Sequence, residues 1–586
     1  MDKKYTWATE DIYPSEKEWN EDYKRAESLA DFEEFRNRLG EPEQFYKCMK
    51  KQEQAGRIVE KLYVYAMMLH DSDTAKSEYD ALLSKATALS VRFSTATAFI
   101  VPELTALDGG VLEKYISGPR FSDYDYALKC VMKEKPHVLS EKEEKLLAES
   151  ADAFSSFRDI FTKTDNADLP LKPLNHKGEK IPLTHGSYSV IMHSGDRALR
   201  KKCFASYYDS YISLINVISA TYIGSVKKDV FYARAKKYKS ALDCALAGED
   251  VEESVYRNLI KRVNGSLGSL HKYMEAKKRD LKLNSMHMYD VYVPTVEEAE
   301  IKLDYDEAYK LVTEGLAPLG EEYCELLKKA HDERWISVYE SRGKKSGAYS
   351  VAVYDTHPFV LLNYQKTTHD VFTIAHEMGH SIHSYFSNRT QPYSKADYKI
   401  FVAEVASTVN EVLLLRYLLG TAKDNKLKKY LLSYLLEMIR TTLFRQTQFA
   451  EFEEFSHDCA EKGIPLTKDM LSDKYLEINK KYYGKSVVSD DRIKYEWARI
   501  PHFYRAFYVY KYATGIISAL AISDRILKEG QPAVDDYFKF LSSGGSDSPV
   551  ELLKIAGVDL TTDAPFKAAF RTFDEALAQY VASDKR

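Results

Sequence analysis

The sequence predicts a mainly α-helical protein, and three observations carry that reading. Long windows rich in Glu, Lys, Ala and Leu space their apolar residues three and four apart. Strong breakers within those windows are few. Alternating, strand-like runs are short and local.

Taken in order, the helical windows are 16–39, 42–70, 75–99 and 140–161. Pro170, Pro173 and Gly178 then punctuate residues 169–184, which read as a small β excursion or loop. Helical pattern resumes over 196–208. Residues 288–293 (MYDVYV) alternate as a strand does and stop at Pro294. Residues 349–354 and 358–364 are two further strand candidates, separated by 355–357. Helix dominates again from 371 almost to the end. No short repeat or low-complexity segment interrupts this order. The expected organisation is an N-terminal helical region over 1–112, a second helical subdomain over 113–195 and a catalytic domain over 196–586.

The chain has 586 residues, a formal net charge of -5 and a pI near 6.4, with 45% hydrophobic and 29% charged residues. This is ordinary globular composition without the basic balance of a nucleic-acid binder. The 44 tyrosines are expected mainly to fill helix packing with their apolar rings. Six cysteines are scattered, with neither a CxxC pair nor a Cys/His knuckle, so neither a disulfide framework nor a structural zinc site is expected. That fits a reducing compartment. The N-terminus lacks an apolar signal-peptide core, and no apolar run approaches a membrane span. The expected location is the cytoplasm, with no nucleic-acid or membrane partner.

The chemistry concentrates in VFTIAHEMGHSIHSYF, residues 371–386. Its HExxH motif puts His376 and His380 one helical turn apart on one face, where both imidazoles can reach one metal ion. Glu377, next to the first ligand, is placed to serve as general base toward water. Val371, Phe372, Ile374, Ala375, Met378 and Ile382 surround the motif, so the helix is expected to be buried. Buried His and Glu require partners or a metal. Zinc prefers a third protein ligand and an open position. The continuation HxxGxxH is absent, since residue 383 is His and residue 386 is Phe, which excludes a metzincin. A glutamate on a following helix is the other solution. In FVAEVASTVNE, residues 401–411, Glu404 is the better candidate, with Ser407 and Thr408 one turn on to orient its carboxylate. Glu411 reads as support for the site. His383 reads as core or as a residue behind the ligands.

HExxH followed by AEVASTVNE resembles the oligoendopeptidase F branch of the thimet oligopeptidase family of zinc metallopeptidases. Gly347-Ala348-Tyr349, NYQKTT at 363–368 and PHFYRAFYVYKYATG at 501–515 extend the resemblance, as do Trp7, Asp11-Ile12-Tyr13 and Trp19. It implies an elongated, two-lobed, zincin-like helical metallopeptidase, with a deep central channel and a small β-sheet near the active site. It also implies endopeptidase action on short peptides, with one Zn2+ per chain held by His376, His380 and Glu404 and with Glu377 as base. A histidine and tyrosines of the C-terminal segment steady the transition state in that family. His502 fits the histidine, and Tyr510 is the first choice of tyrosine, ahead of Tyr508 and Tyr504.

Two further roles are expected of the local strands. Residues 358–364 are expected to form an edge strand that pairs with an extended substrate, and Gly347-Ala348 to offer backbone donors. Two rival readings stay open. One is an HExxH zinc carboxypeptidase reading the substrate's terminal carboxylate with Arg499 or Arg505. The other is a non-catalytic peptide-binding helical protein.

Overall fold

Capping chemistry sets where many of the helices begin. In the computed structural model, which describes residues 2–296 and 301–583, Ser140 and Glu143 close a reciprocal capping box at the head of the helix Glu141–Lys163. Such a box satisfies two of the orphan N–H groups of a helix start. Asp196 accepts from Leu199 N and so caps Arg197–Ser213. The predicted windows at 42–70 and 75–99 fold as Pro42–Ser72 and Ser77–Thr97. The window at 16–39 stops early: Glu16–Leu29 is helical, and a 3-10 turn follows at Glu33–Phe35. Phe32, Phe35 and Leu39 all bury in one apolar cluster with Phe45 and Tyr115, and that burial overrides helical propensity.

The excursion at 169–184 is a hairpin, with Leu174–His176 antiparallel to Glu179–Ile181. Its two-residue turn, Lys177-Gly178, has φ of 50° and 86°, the backbone geometry tight hairpins favour. The strand expected at 288–293 does not form. Only Met286–His287 is extended, pairing in parallel with Val487–Val488, and a 3-10 turn follows at Met288–Asp290. Asp290 explains the curl. It is fully buried, accepts from the backbone of His287, and takes charged hydrogen bonds from Arg197 and Arg200. Satisfying that buried charge outweighs a strand pattern with no sheet to join.

The chain divides into two compact units, Met1–Pro136 with Glu300–Leu418 and Ile522–Val558, and His137–Ala299 with Leu419–Ala521 and Asp559–Arg586. In the first, Trp7, Tyr13 and Trp19 of the N-terminal opening share a core with Leu62, Phe359 and Leu361. This core backs a three-stranded sheet in which Phe359–Leu361 lies between Ile336–Ser337, parallel, and Tyr349–Val351, antiparallel. The strand expected at the edge is thus the central one. Val360 N donates to Trp335 O and Leu362 N to Ser337 O on one side, and Tyr349–Val351 occupies the other, so the open edge passes to Tyr349–Val351.

In the second unit the interior is strongly aromatic. Tyr222 and Tyr256 are fully buried with their hydroxyls satisfied, at Ser456 Oγ (2.7 Å) and Ala450 O (2.7 Å). That is the packing role expected of most tyrosines. All six cysteines are free thiols. Among the described residues no helix is long and apolar enough to cross a membrane.

Candidate active site

The motif lies on the helix Thr368–Thr390, whose start is fixed by Thr367. The Thr367 hydroxyl accepts from Asp370 N, while the Asp370 carboxylate accepts from the N–H groups of Thr367 and Gln365. The second helix, Ile400–Thr421, crosses it at Gly379. A Cβ at residue 379 would lie 2.6 Å from Ser407 Cα and 2.7 Å from Ala406 O, so only glycine admits this approach. Beside that crossing, Asn410 donates to Ala375 O (3.0 Å) and accepts from the Tyr323 hydroxyl (2.9 Å). This satisfied buried bridge fixes the rotation of one helix against the other.

The crossing brings His376, His380 and Glu404 together. Their donor atoms form a triangle: His376 Nε2 to His380 Nε2 is 3.2 Å, and Glu404 Oε2 is 3.4 Å from the first and 3.6 Å from the second. Ligands of a tetrahedral ion bonded at about 2.1 Å stand roughly 3.4 Å apart, so the residues fit a small divalent metal. Glu411 accepts from the other nitrogen of His376, Nδ1, at 2.5 Å. It thereby orients the ring and turns Nε2 toward the triangle. Ser407 Oγ donates to the Glu404 side chain at 3.3 Å.

Charge follows geometry. Burial alone would lower the His376 imidazole, but hydrogen bonds with Glu404 and Glu411 override it and hold the group up at about 10. The same contacts from His376 and His380 hold Glu404 far below the usual carboxylate range. Such a cluster stores cationic demand at the centre, which a metal ion answers. Burial raises the Glu377 carboxyl, the direction expected of a carboxylate tuned toward base catalysis. His383 takes the core position: it is fully buried, stacks on Tyr398 at 3.8 Å, and is held down at about 3 by burial.

Next to the open strand edge, a cavity of ≈ 300 Å³ is lined by Gly347, Ala348, Asn363 and His369. Asn363 Nδ2 donates to Lys345 O and Gly347 O, while its buried Oδ1 has no partner and remains an acceptor.

The C-terminal candidates lie in the second unit. Tyr510 is fully buried with its ring edge-on to Tyr256, and Tyr504 is buried against Phe161. His502 is exposed. Tyr508 lies parallel to it at 6.0 Å, and the Tyr512 hydroxyl is 3.4 Å from His502 Nε2. Tyr512 was not singled out from the sequence. Tyr508, Tyr510 and Tyr512 alternate, and only packing distinguishes the accessible members of the series.

A family model described as Peptidase family M3 matches residues 190–572, and one described as Oligopeptidase F matches 103–170. The chain belongs to peptidase family M3, in its oligoendopeptidase F branch. This M3 peptidase is 43% identical to the oligopeptidase PepF of Bacillus subtilis over 576 residues, covering 98% of this chain and 86% of the relative. It is 39% identical to the group B oligopeptidase PepB of Streptococcus agalactiae, covering 99% and 97%. Its fold matches a crystal structure of a peptidase from Chlamydophila abortus with a TM-score of 0.95 at 36% identity, covering 100% and 99% of the two chains. The oligoendopeptidase-F of Enterococcus faecium matches at 0.72 and 34%, covering 97% and 98%. Family and relatives together make the chain a mainly α-helical metalloendopeptidase acting on peptides.

Proposed function

We propose that the enzyme hydrolyses internal bonds of short, unstructured peptides with one Zn2+ held by His376, His380 and Glu404 and with Glu377 as general base. The observation that carries this reading is the donor triangle of 3.2, 3.4 and 3.6 Å. Two imidazoles and a carboxylate suit zinc, which would supply Lewis acidity toward the scissile carbonyl and acidify water. Glu377 takes a proton from the attacking water on its carboxylate oxygen and passes it to the leaving amine. Its burial raises the carboxyl, which makes the carboxylate a stronger base toward water in the first half of that cycle. In the second half the leaving amine, far more basic than any carboxylate, still draws the proton away. Glu411 keeps His376 in the productive tautomer.

Substrate backbone is proposed to add to the open edge at Tyr349–Val351, with Gly347-Ala348 and Asn363 Oδ1 offering donors and an acceptor. For His502 and a tyrosine as oxyanion donors, the support is the family resemblance. Tyr510 is the choice the sequence favours. Burial in this arrangement weighs toward Tyr508 and Tyr512.

The test is mass spectrometry of products from a pool of short peptides, half of them blocked at both termini, with zinc and with chelator. Internal cuts that chelator abolishes are expected. Cuts confined to peptides with free C-termini would replace this reading with a carboxypeptidase, and absence of cuts in zinc-loaded protein would leave a peptide-binding protein.

A further inference from the structure

A second cavity, of ≈ 330 Å³, lies wholly within the second unit. Arg445 and Arg499 form part of its wall, with side chains only 17% and 18% exposed. They share a single carboxylate. Glu496 Oε1 accepts from Arg445 at 2.6 Å and from Arg499 at 2.8 Å, and Oε2 is taken by the Tyr475 hydroxyl at 2.6 Å. Two permanent cations against one anion leave a surplus positive charge out of bulk water, which is costly unless a further anion arrives. Arg445 Nε and Nη1 and Arg499 Nη1 make no hydrogen bond to any described residue, so part of each guanidinium remains available. The remaining acid of the cavity, Asp165, pairs with neither arginine. Its Oδ1 accepts from the Tyr211 hydroxyl at 2.6 Å, and its backbone carbonyl faces His185. It repels an anion from its own side and so favours the arginine wall. Tyr188 and Tyr207, stacked at 3.8 Å, add flat apolar surface. Arg445 also follows directly on a π-helical turn, Arg440–Phe444, a local insertion that recurs at functional sites.

We propose that this cavity binds a carboxylate of a peptide, received on the guanidinium groups of Arg445 and Arg499. The inference rests on the peptidase reading above and deepens it, since it makes anionic peptides the preferred ligands. The planar fork of arginine matches a carboxylate bidentately. Such a group is either a free C-terminus or an acidic side chain.

The experiment is an equilibrium titration of the full-length, zinc-loaded Glu377→Gln protein, which needs no turnover, so failure of cleavage leaves it readable. One peptide pair compares a free C-terminus with its amide, and another, amidated throughout, compares internal Glu with Gln. We expect one pair to differ in Kd by at least about tenfold, identifying which carboxylate is bound, and Arg445→Met to bring that ratio within about twofold of unity. Should Arg445→Met not fold by circular dichroism, Arg445→Lys keeps the charge but loses the fork, and the ratio should fall at least about threefold. Equal Kd values within both pairs would overturn the proposal, as would a ratio that survives substitution of Arg445.

Discussion

His376 is held from both ends, by Glu411 at Nδ1 and by Glu404 at Nε2, and that double hold separates the roles of the two acids. Glu404→Ala and His376→Ala remove a donor, so each should lose tightly bound metal when measured by elemental analysis. Glu411→Gln keeps all three donors but loosens the ring. It should weaken metal affinity about 10–100-fold while cleavage at saturating metal largely survives. Among the phenols, Tyr508→Phe or Tyr512→Phe should lower turnover about 10²–10³-fold if its hydroxyl meets the oxyanion. A drop confined to Tyr510→Phe would return that role to the buried ring. The pairing of His376 with His380 was legible in the sequence because helical spacing puts them on one face, and apolar neighbours mark both helices as buried. Glu404 was legible as a candidate, but only the crossing brings it to the pair. Glu411 was legible only as support, since its partner depends on the crossing. Tyr512 was not legible, because Tyr508, Tyr510 and Tyr512 straddle the start of the helix Tyr510–Glu529, and the sequence does not mark which of them packs inward.

At the scale of elements, the site depends on how closely two helices cross. Gly379 stands where Ser407 backbone would meet any Cβ. Gly379→Ala should therefore push the Glu404 helix away, costing about 1–3 kcal/mol of stability and weakening metal binding although no ligand has changed. Normal metal affinity and melting temperature in that variant would show that the crossing is not what sets the triangle. Most helices were legible from the spacing of their apolar residues, and the caps at Ser140 and Asp196 fall where two of those windows begin. The strands were legible only in part. The 358–364 run holds the strand Phe359–Leu361, as expected, and its antiparallel neighbour Tyr349–Val351 is the adjacent candidate. The parallel neighbour Ile336–Ser337 carried no strand signal, so no local pattern told an edge from a centre. The 288–293 run failed because the partners of Asp290, Arg197 and Arg200, lie about ninety residues away.

For the molecule as a whole, the pH response includes a half-buried acid remote in sequence from the metal ligands. Glu60, on Pro42–Ser72, has only a 3.5 Å contact from Tyr354 N, and burial pushes its carboxyl up to about 7. The unfolded group titrates near 4.3. Between those values the folded chain keeps a proton the unfolded chain has lost, so stability falls as pH rises through the window and stays lowered above it. Glu60→Gln should raise the melting temperature at pH 8 by a few degrees, corresponding to about 1–3 kcal/mol after allowance for partial exposure, and change little at pH 4. Metal acts as a ligand of the folded state alone, so chelator should lower the melting temperature of the parent and not that of Glu404→Ala. The central claim is that Glu377 moves the proton while three other side chains hold the metal. The most direct measurement is the rate at which Glu377→Gln cleaves a doubly blocked peptide, taken at a metal content matched to the parent. The account predicts one metal per chain and a rate lowered about 10²–10⁴-fold. A rate near that of the parent at equal metal content would contradict it.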